Sequence, residues 1–243
     1  MRNFVIYLFI IALLLGCKDE KTRPEEIGTI LVINAITGAG AVKVNPTGKS
    51  KAWSSFVLQT AYPAGTLYYA TTGNANFTIV PVSDTTRILF NRSFSLKAKM
   101  YTLYLSGTSA ATDTMLREEV NYPNIITAGS NIPSSADSIV NVRFVNLSAN
   151  SPNLKVRLST VTTNEVDNLP YKSITAFKAY PARLASTVYS FQIRRADTDA
   201  LITTFNFSAT SANRFKNVVL VMRGVFGTTT GTAPFGITTI NYF

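Results

Sequence analysis

Carboxylates are the only acid–base side chains of moderate pKa in this sequence, because none of its 243 residues is His, and its single thiol is Cys17. Without imidazole, the Ser-His-Asp and Cys-His relays lack the base that activates their nucleophile, and zinc sites of the His or Cys type lack ligands. A carboxylate pair remains as the simplest acid–base device. Glu118 and Glu119 are adjacent, however, and neighbours on a strand point to opposite faces. Asp197 and Asp199 flank Thr198 in a turn. Calcium wants six to eight oxygens, of which one Asp-Thr-Asp supplies a fraction, so turn capping is the better reading. Glu165 and Asp167 lie beside Asn164 and Asn168 in a stretch that reads as a solvated polar loop. Neither a Gly-rich phosphate loop nor a nucleophile elbow is present. The sequence therefore assigns no catalytic residue, no metal and no cofactor, and the chain reads as non-enzymatic.

Cys17 carries the one covalent chemistry that the sequence suggests. Arg2 precedes an apolar run from Phe4 to Leu15, and Leu14-Leu15-Gly16-Cys17 gives way to Lys18-Asp19-Glu20-Lys21. A basic start, a short apolar core and a small residue before the cut describe a secretory signal peptide over residues 1–16. The twelve residues from Phe4 to Leu15 fall short of the roughly 18 that a membrane span requires. A cysteine directly after the cut looks like a lipobox, which predicts a mature chain beginning at lipid-modified Cys17. The next residues, Lys18, Asp19 and Glu20, resemble the sorting signal of Bacteroidota surface lipoproteins. That likeness implies the outer membrane and the cell surface, with the lipid on Cys17 as the membrane partner.

The aromatic residues are the candidates for non-covalent binding. Trp53, Phe56, Tyr62, Tyr68 and Tyr69 crowd into a short stretch, and rings exposed on a sandwich could stack on a sugar ring. Trp53, Tyr68 and Tyr69 are the stacking candidates, with core packing as the competing role for any large ring. Tyr62 reads as architecture, since Ala61-Tyr62-Pro63-Ala64 recurs as Ala179-Tyr180-Pro181-Ala182. The formal charge of +10 lies wholly beyond residue 26. Its basic residues are scattered singly rather than drawn into a stripe with aromatic residues, which argues against a nucleic-acid partner. A basic surface suits anionic headgroups or acidic glycans. The sequons at Asn91, Asn146 and Asn206 match the glycosylation pattern, but Asn146 and Asn206 fall in expected strands.

The elements that position these residues come in two copies. Ile30–Asn34 matches Val142–Asn146, Phe77–Ile79 matches Phe191–Ile193, and Leu103–Gly107 matches Leu220–Gly224. The Tyr-Pro-Ala pair and Val120-Asn121-Tyr122 against Ile240-Asn241-Tyr242 complete five matches in one order. Their spacing exceeds the 20–50 residues of solenoid repeats and predicts two whole domains. The expected plan is a tether over 17–26, a first domain over 27–128, a linker over 129–137 and a second domain over 138–243. Leu154, Val156 and Leu158 alternate with Lys155 and Arg157, as a half-buried strand does. Val218–Met222 is apolar throughout, as in a strand buried on both faces. Short β-rich runs separated by Gly, Pro, Asn, Asp and Ser predict an all-β chain of two tandem antiparallel β-sandwiches, immunoglobulin-like in kind.

Ile30 to Ala35, Tyr62 to Gly65, Asn76 to Val80 and Tyr101 to Gly107, with their second copies, resemble the bacterial "domain of unknown function 4397". That resemblance implies exported β-sandwiches, often in tandem on lipoproteins, and carries no catalytic residue. The function expected is a surface binding module for glycan or for an envelope or extracellular protein. The alternative is a spacer or assembly subunit without a ligand of its own.

Overall fold

The computed structural model describes residues 26–120, 138–182, 187–210 and 212–242. The first unit holds β1 (Ile27–Asn34), β2 (Val42–Asn45), β3 (Gln59–Thr60), β4 (Ala64–Thr71), β5 (Gly73–Pro81), β6 (Phe90–Leu96), β7 (Met100–Gly107) and β8 (Thr112–Glu118). The second holds β9 (Ile139–Asn146), β10 (Leu154–Leu158), β11 (Asn164–Leu169), β12 (Lys178–Pro181), β13 (Thr187–Arg195), β14 (Leu201–Ala209), β15 (Asn217–Arg223) and β16 (Gly236–Tyr242). Each unit pairs two four-stranded sheets, β4-β1-β7-β8 with β3-β2-β5-β6 and β12-β9-β15-β16 with β11-β10-β13-β14. The chain is thus all-β, with two tandem sandwiches of identical strand order. The first and seventh strands of each unit pair in parallel while their other partners run antiparallel. This order differs from the ABED and CFG sheets of a constant immunoglobulin domain; the likeness lies in the two packed layers.

Register identifies which residues of the two copies correspond. Val32 lies opposite Leu103 and Ile79 opposite Val44 in the first unit, as Phe144 lies opposite Leu220 and Ile193 opposite Val156 in the second, so three of the five sequence matches mark equivalent positions. The other two do not. Tyr68 faces Ile30, whereas Lys178 faces Val142; Tyr180 therefore corresponds to Ala70, and the shared Tyr-Pro-Ala sits at opposite ends of equivalent strands. On the last strand, Glu118 and Asn241 occupy equivalent places opposite Tyr101 and Val218, which makes Glu119 the counterpart of Tyr242. Asn121 and Tyr122 lie outside the described residues.

Each sandwich fills its own interior. Ile30, Val32, Phe77, Ile79, Leu103 and Leu105 anchor the first core; Val142, Phe144, Val156, Phe191, Leu220 and Met222 anchor the second. A third cluster joins the units. Leu31, Ile33, Ala35 and Tyr104, from the outer face of the first unit's β1 sheet, pack on Val145, Leu147, Val219, Val221, Ile240 and Tyr242 of the second unit. Strands β1, β7, β9 and β15 are consequently buried on both faces, which is why Val218–Met222 lacks polar alternation. At the ends where β1 and β9 finish, Ser106 Oγ meets Tyr171 OH at 2.7 Å and Lys172 Nζ meets Asp113 at 2.7 Å. Near their starts, Thr102 and Glu119 meet Tyr242 and Arg143. The sandwiches therefore lie side by side with β1 and β9 pointing the same way.

Candidate functional site

Five places among the described residues bring polar or aromatic side chains together. The first is the polar knot between the sandwiches. Arg143 is 1% exposed and donates from Nη1 and Nη2 to the two carboxylate oxygens of Glu119, at 2.9 and 2.6 Å. Its Nη2 also reaches the hydroxyls of Tyr242 at 2.6 Å and Tyr104 at 3.0 Å. Thr102 Oγ1 donates to Glu119 at 2.6 Å. The guanidinium lies over the rings of Phe177 and Tyr242, 4.4 and 4.7 Å from their centroids. Burial opposes the arginine's charge, but the Glu119 hydrogen bonds and charge outweigh it and hold the guanidinium more firmly protonated than usual. Burial likewise pushes the Tyr104 and Tyr242 hydroxyls up. Two neutral phenols, one carboxylate and one cation thus share a network in an apolar layer, in which the buried Nε of Arg143 alone of the guanidinium nitrogens has no hydrogen-bond partner. Glu118, on the opposite strand face, pairs instead with Lys99. The expectation that the two glutamates cannot act together agrees with this placement.

The acidic residues near β11 depart from expectation. Asn164–Leu169 is a strand, not a solvated loop. The Glu165 side chain is only 8% exposed and its Oε2 accepts from Lys178 Nζ and Tyr180 OH, both at 2.6 Å. Burial and the neighbouring carboxylate push the Tyr180 hydroxyl far above its ordinary range. These two bonds tie β11 to β12, the edge strands of the second unit's two sheets. Asp167 accepts from Asn164 Nδ2 at 2.7 Å.

At the β13–β14 turn, Asp197 accepts from Thr198 N and pairs with Arg195 at 2.7 Å, a capping role as expected. Asp199 does more. With φ of 56°, it draws in Lys155 and Arg157 at 3.1 Å and Arg194 at 3.4 Å. The hydrogen bond from Lys155 and the nearby guanidinium charges hold its carboxyl below the usual range. Among the described residues, no group of three His, Cys, Asp or Glu could hold a metal ion. Asn146, a sequon residue, is fully buried and its Nδ2 donates to Ser151 Oγ and Leu169 O. Asn34 does the same work in the first unit, donating to Gly40 O and Thr60 O.

The stacking candidates separate. Tyr68 is 4% exposed, belongs to the first core and shares a hydrogen bond with Thr60 at 3.1 Å; its ring packs in the core while also lining the groove formed with Phe56, Val57, Leu58 and Tyr69. Tyr69, one residue on, points outward and is 58% exposed. Trp53 opens a single 3₁₀ turn, Trp53–Ser55, in the β2–β3 connection. It is half-buried, with its ring 5.1 Å from that of Phe56. Phe56, Val57, Leu58 and Tyr69 line a shallow groove of about 330 Å³. Cys17, Lys18, Asp19 and Glu20 lie outside the described residues.

The sequence reading missed a second groove, of about 370 Å³, between the β13–β14 turn and the β15–β16 connection. Phe226 and Phe235 meet there edge to face at 5.7 Å. Leu201, Thr203, Thr228, Thr229 and Arg195 complete its wall. Asn150 clamps the connection, accepting from Phe226 N at 2.9 Å and donating to Phe226 O at 3.2 Å. The aromatic pair at 226 and 235 was the available signal, but distant loop residues converge only once strand order is known. No protein-family model matches the sequence, and no curated protein matches it.

Proposed function

We propose that this chain is a non-enzymatic lipoprotein of the outer membrane, displayed at the cell surface through lipidated Cys17 and sorted by Lys18, Asp19 and Glu20. Its tandem sandwiches form a binding module for glycan or for an envelope or extracellular protein, and its kinship with the family of unknown function belongs to the same proposal. The groove at Phe226 and Phe235 is the observation that carries the binding role. Its volume falls in the range of small-ligand sites, and it sets apolar rings beside a few polar groups, the usual composition of such sites. Two rings with three threonine hydroxyls and Arg195 suit a sugar: the rings cover its apolar face and the polar groups meet its hydroxyls. The non-enzymatic reading draws support from the carboxylates, since Glu119, Glu165, Asp113, Asp197 and Asp199 are each engaged by a cation.

A glycan array probed with the mature protein tests this function. Retention of one glycan class, lost on Phe226→Ala and Phe235→Ala, is the expected result. Unchanged retention in both variants removes the groove from the proposal. The second reading, a ligand-free spacer, draws on the apolar layer between the sandwiches, which suits a rigid strut; capture of neither glycan nor protein would favour it.

A further inference from the structure

The edge of the first sandwich where β1 begins carries more exposed apolar surface than a solvated β-protein needs. Val57 is 86% exposed, Tyr69 58%, Ile27 56% and Leu58 55%. One exposed apolar side chain is ordinary, whereas a set of them marks an interaction surface. Thr29 pairs with Tyr69 and Ile27 with Thr71, so Ile27 and Tyr69 share one outer sheet face. Val57, Leu58 and Tyr69 line the same groove. The β2–β3 connection that presents Val57 and Leu58 is held in shape. Asn45 Nδ2 donates to Lys49 O at 3.0 Å, Lys43 Nζ to Trp53 O at 2.7 Å, and Ser55 Oγ to Ala52 O at 2.8 Å.

Charge identifies the occupant. Lys49 and Lys51 are exposed in that connection, and no acidic residue occurs from Ile27 through Ser83. We infer that this edge, with Val57 and Leu58 at its centre and Trp53 beside them against Phe56, seats on the anionic headgroup surface of the bilayer that carries the lipid anchor. Trp favours the level of the headgroups, and Lys buries its stem while its ammonium reaches phosphate. A sugar would leave Val57 and Leu58 largely in water, and a second copy would bring Lys49 and Lys51 towards their equals. The inference rests on the reading of Cys17 as the lipidated residue. Ile27 follows Cys17 by ten residues, and a run of that length spans at most about 35 Å, so the edge that the chain enters stays within reach of the membrane.

Trp53 is the only tryptophan in the chain, so intrinsic fluorescence reports this edge alone. The test uses the mature lipidated protein in phosphatidylethanolamine–phosphatidylglycerol vesicles, with and without bromine on the acyl chains. Trp53 emission is expected to shift to the blue and to be quenched by bromine. Both effects are lost in the double variant Val57→Asp with Leu58→Asp while the protein still floats with the vesicles. Flotation of the natural protein without quenching overturns the docking and leaves the anchor standing. Failure to float overturns both. An emission shift that follows protein concentration or added oligosaccharide in the absence of vesicles assigns the edge to a second copy or a sugar and overturns the proposal.

Discussion

Arg143 shows what a single residue can hide. In Val142-Arg143-Phe144 the period-two rule places the arginine in water, because its neighbours occupy the core face. The rule identified the core face correctly and failed on the other, which is covered by a second sheet rather than solvent. Removing one member of a buried ion pair strands the other charge, at a cost of roughly 3–5 kcal/mol, whereas replacing both by apolar groups is often close to neutral. Arg143→Met should therefore lower stability by about 3–5 kcal/mol in urea unfolding, and adding Glu119→Leu should recover much of that loss. A single variant as stable as the natural protein would mean that the ion pair is not buried as described. Glu165 was misread for a related reason: its polar neighbours suggest a loop, and its burial depends on Tyr180 and Lys178 arriving from another sheet.

At the scale of elements, legibility followed locality. Strands whose polar face meets water, such as β10 and β13, announced themselves by alternation. Strand β15, buried on both faces, announced itself by having none. The repeat was legible where the same backbone need recurs. Leu103–Gly107 and Leu220–Gly224 both end on glycines of positive φ, +81° and +84°. At Gly224 an added Cβ would also collide with the Pro234 carbonyl oxygen. Gly224→Ala should destabilise the second sandwich by more than about 1 kcal/mol, read as a lower unfolding midpoint; an unchanged midpoint would show that the β15–β16 connection can relax. Tyr-Pro-Ala misled because identical letters met different needs, at the head of β4 and at the tail of β12. The groove at Phe226 and Phe235 was illegible because no single element carries it: the facing ends of β13 and β14 and the β15–β16 connection build it only after folding.

For the whole molecule, the layer between sandwiches decides whether two domains behave as one. Fully burying a Val, Leu or Ile contributes about 1.5–3 kcal/mol, and this layer buries several of them around one bidentate ion pair. Unfolding should therefore be a single calorimetric transition. Val145→Asp, which sets an unpaired carboxylate in the layer, should split it into two. If the variant still melts in one step, the coupling resides elsewhere.

Glu119 and Tyr242, equivalent residues of the two repeats, touch across that layer with 3.4 Å between hydroxyl and carboxylate. Like surfaces therefore face one another, the arrangement by which two free copies of one protein form a twofold dimer. Here both halves belong to one polypeptide. Their association is therefore intramolecular, at an effective concentration fixed by the covalent connection and independent of how much protein the cell makes. Dilution cannot separate the halves, and a newly arrived copy meets a face that its own chain has already filled.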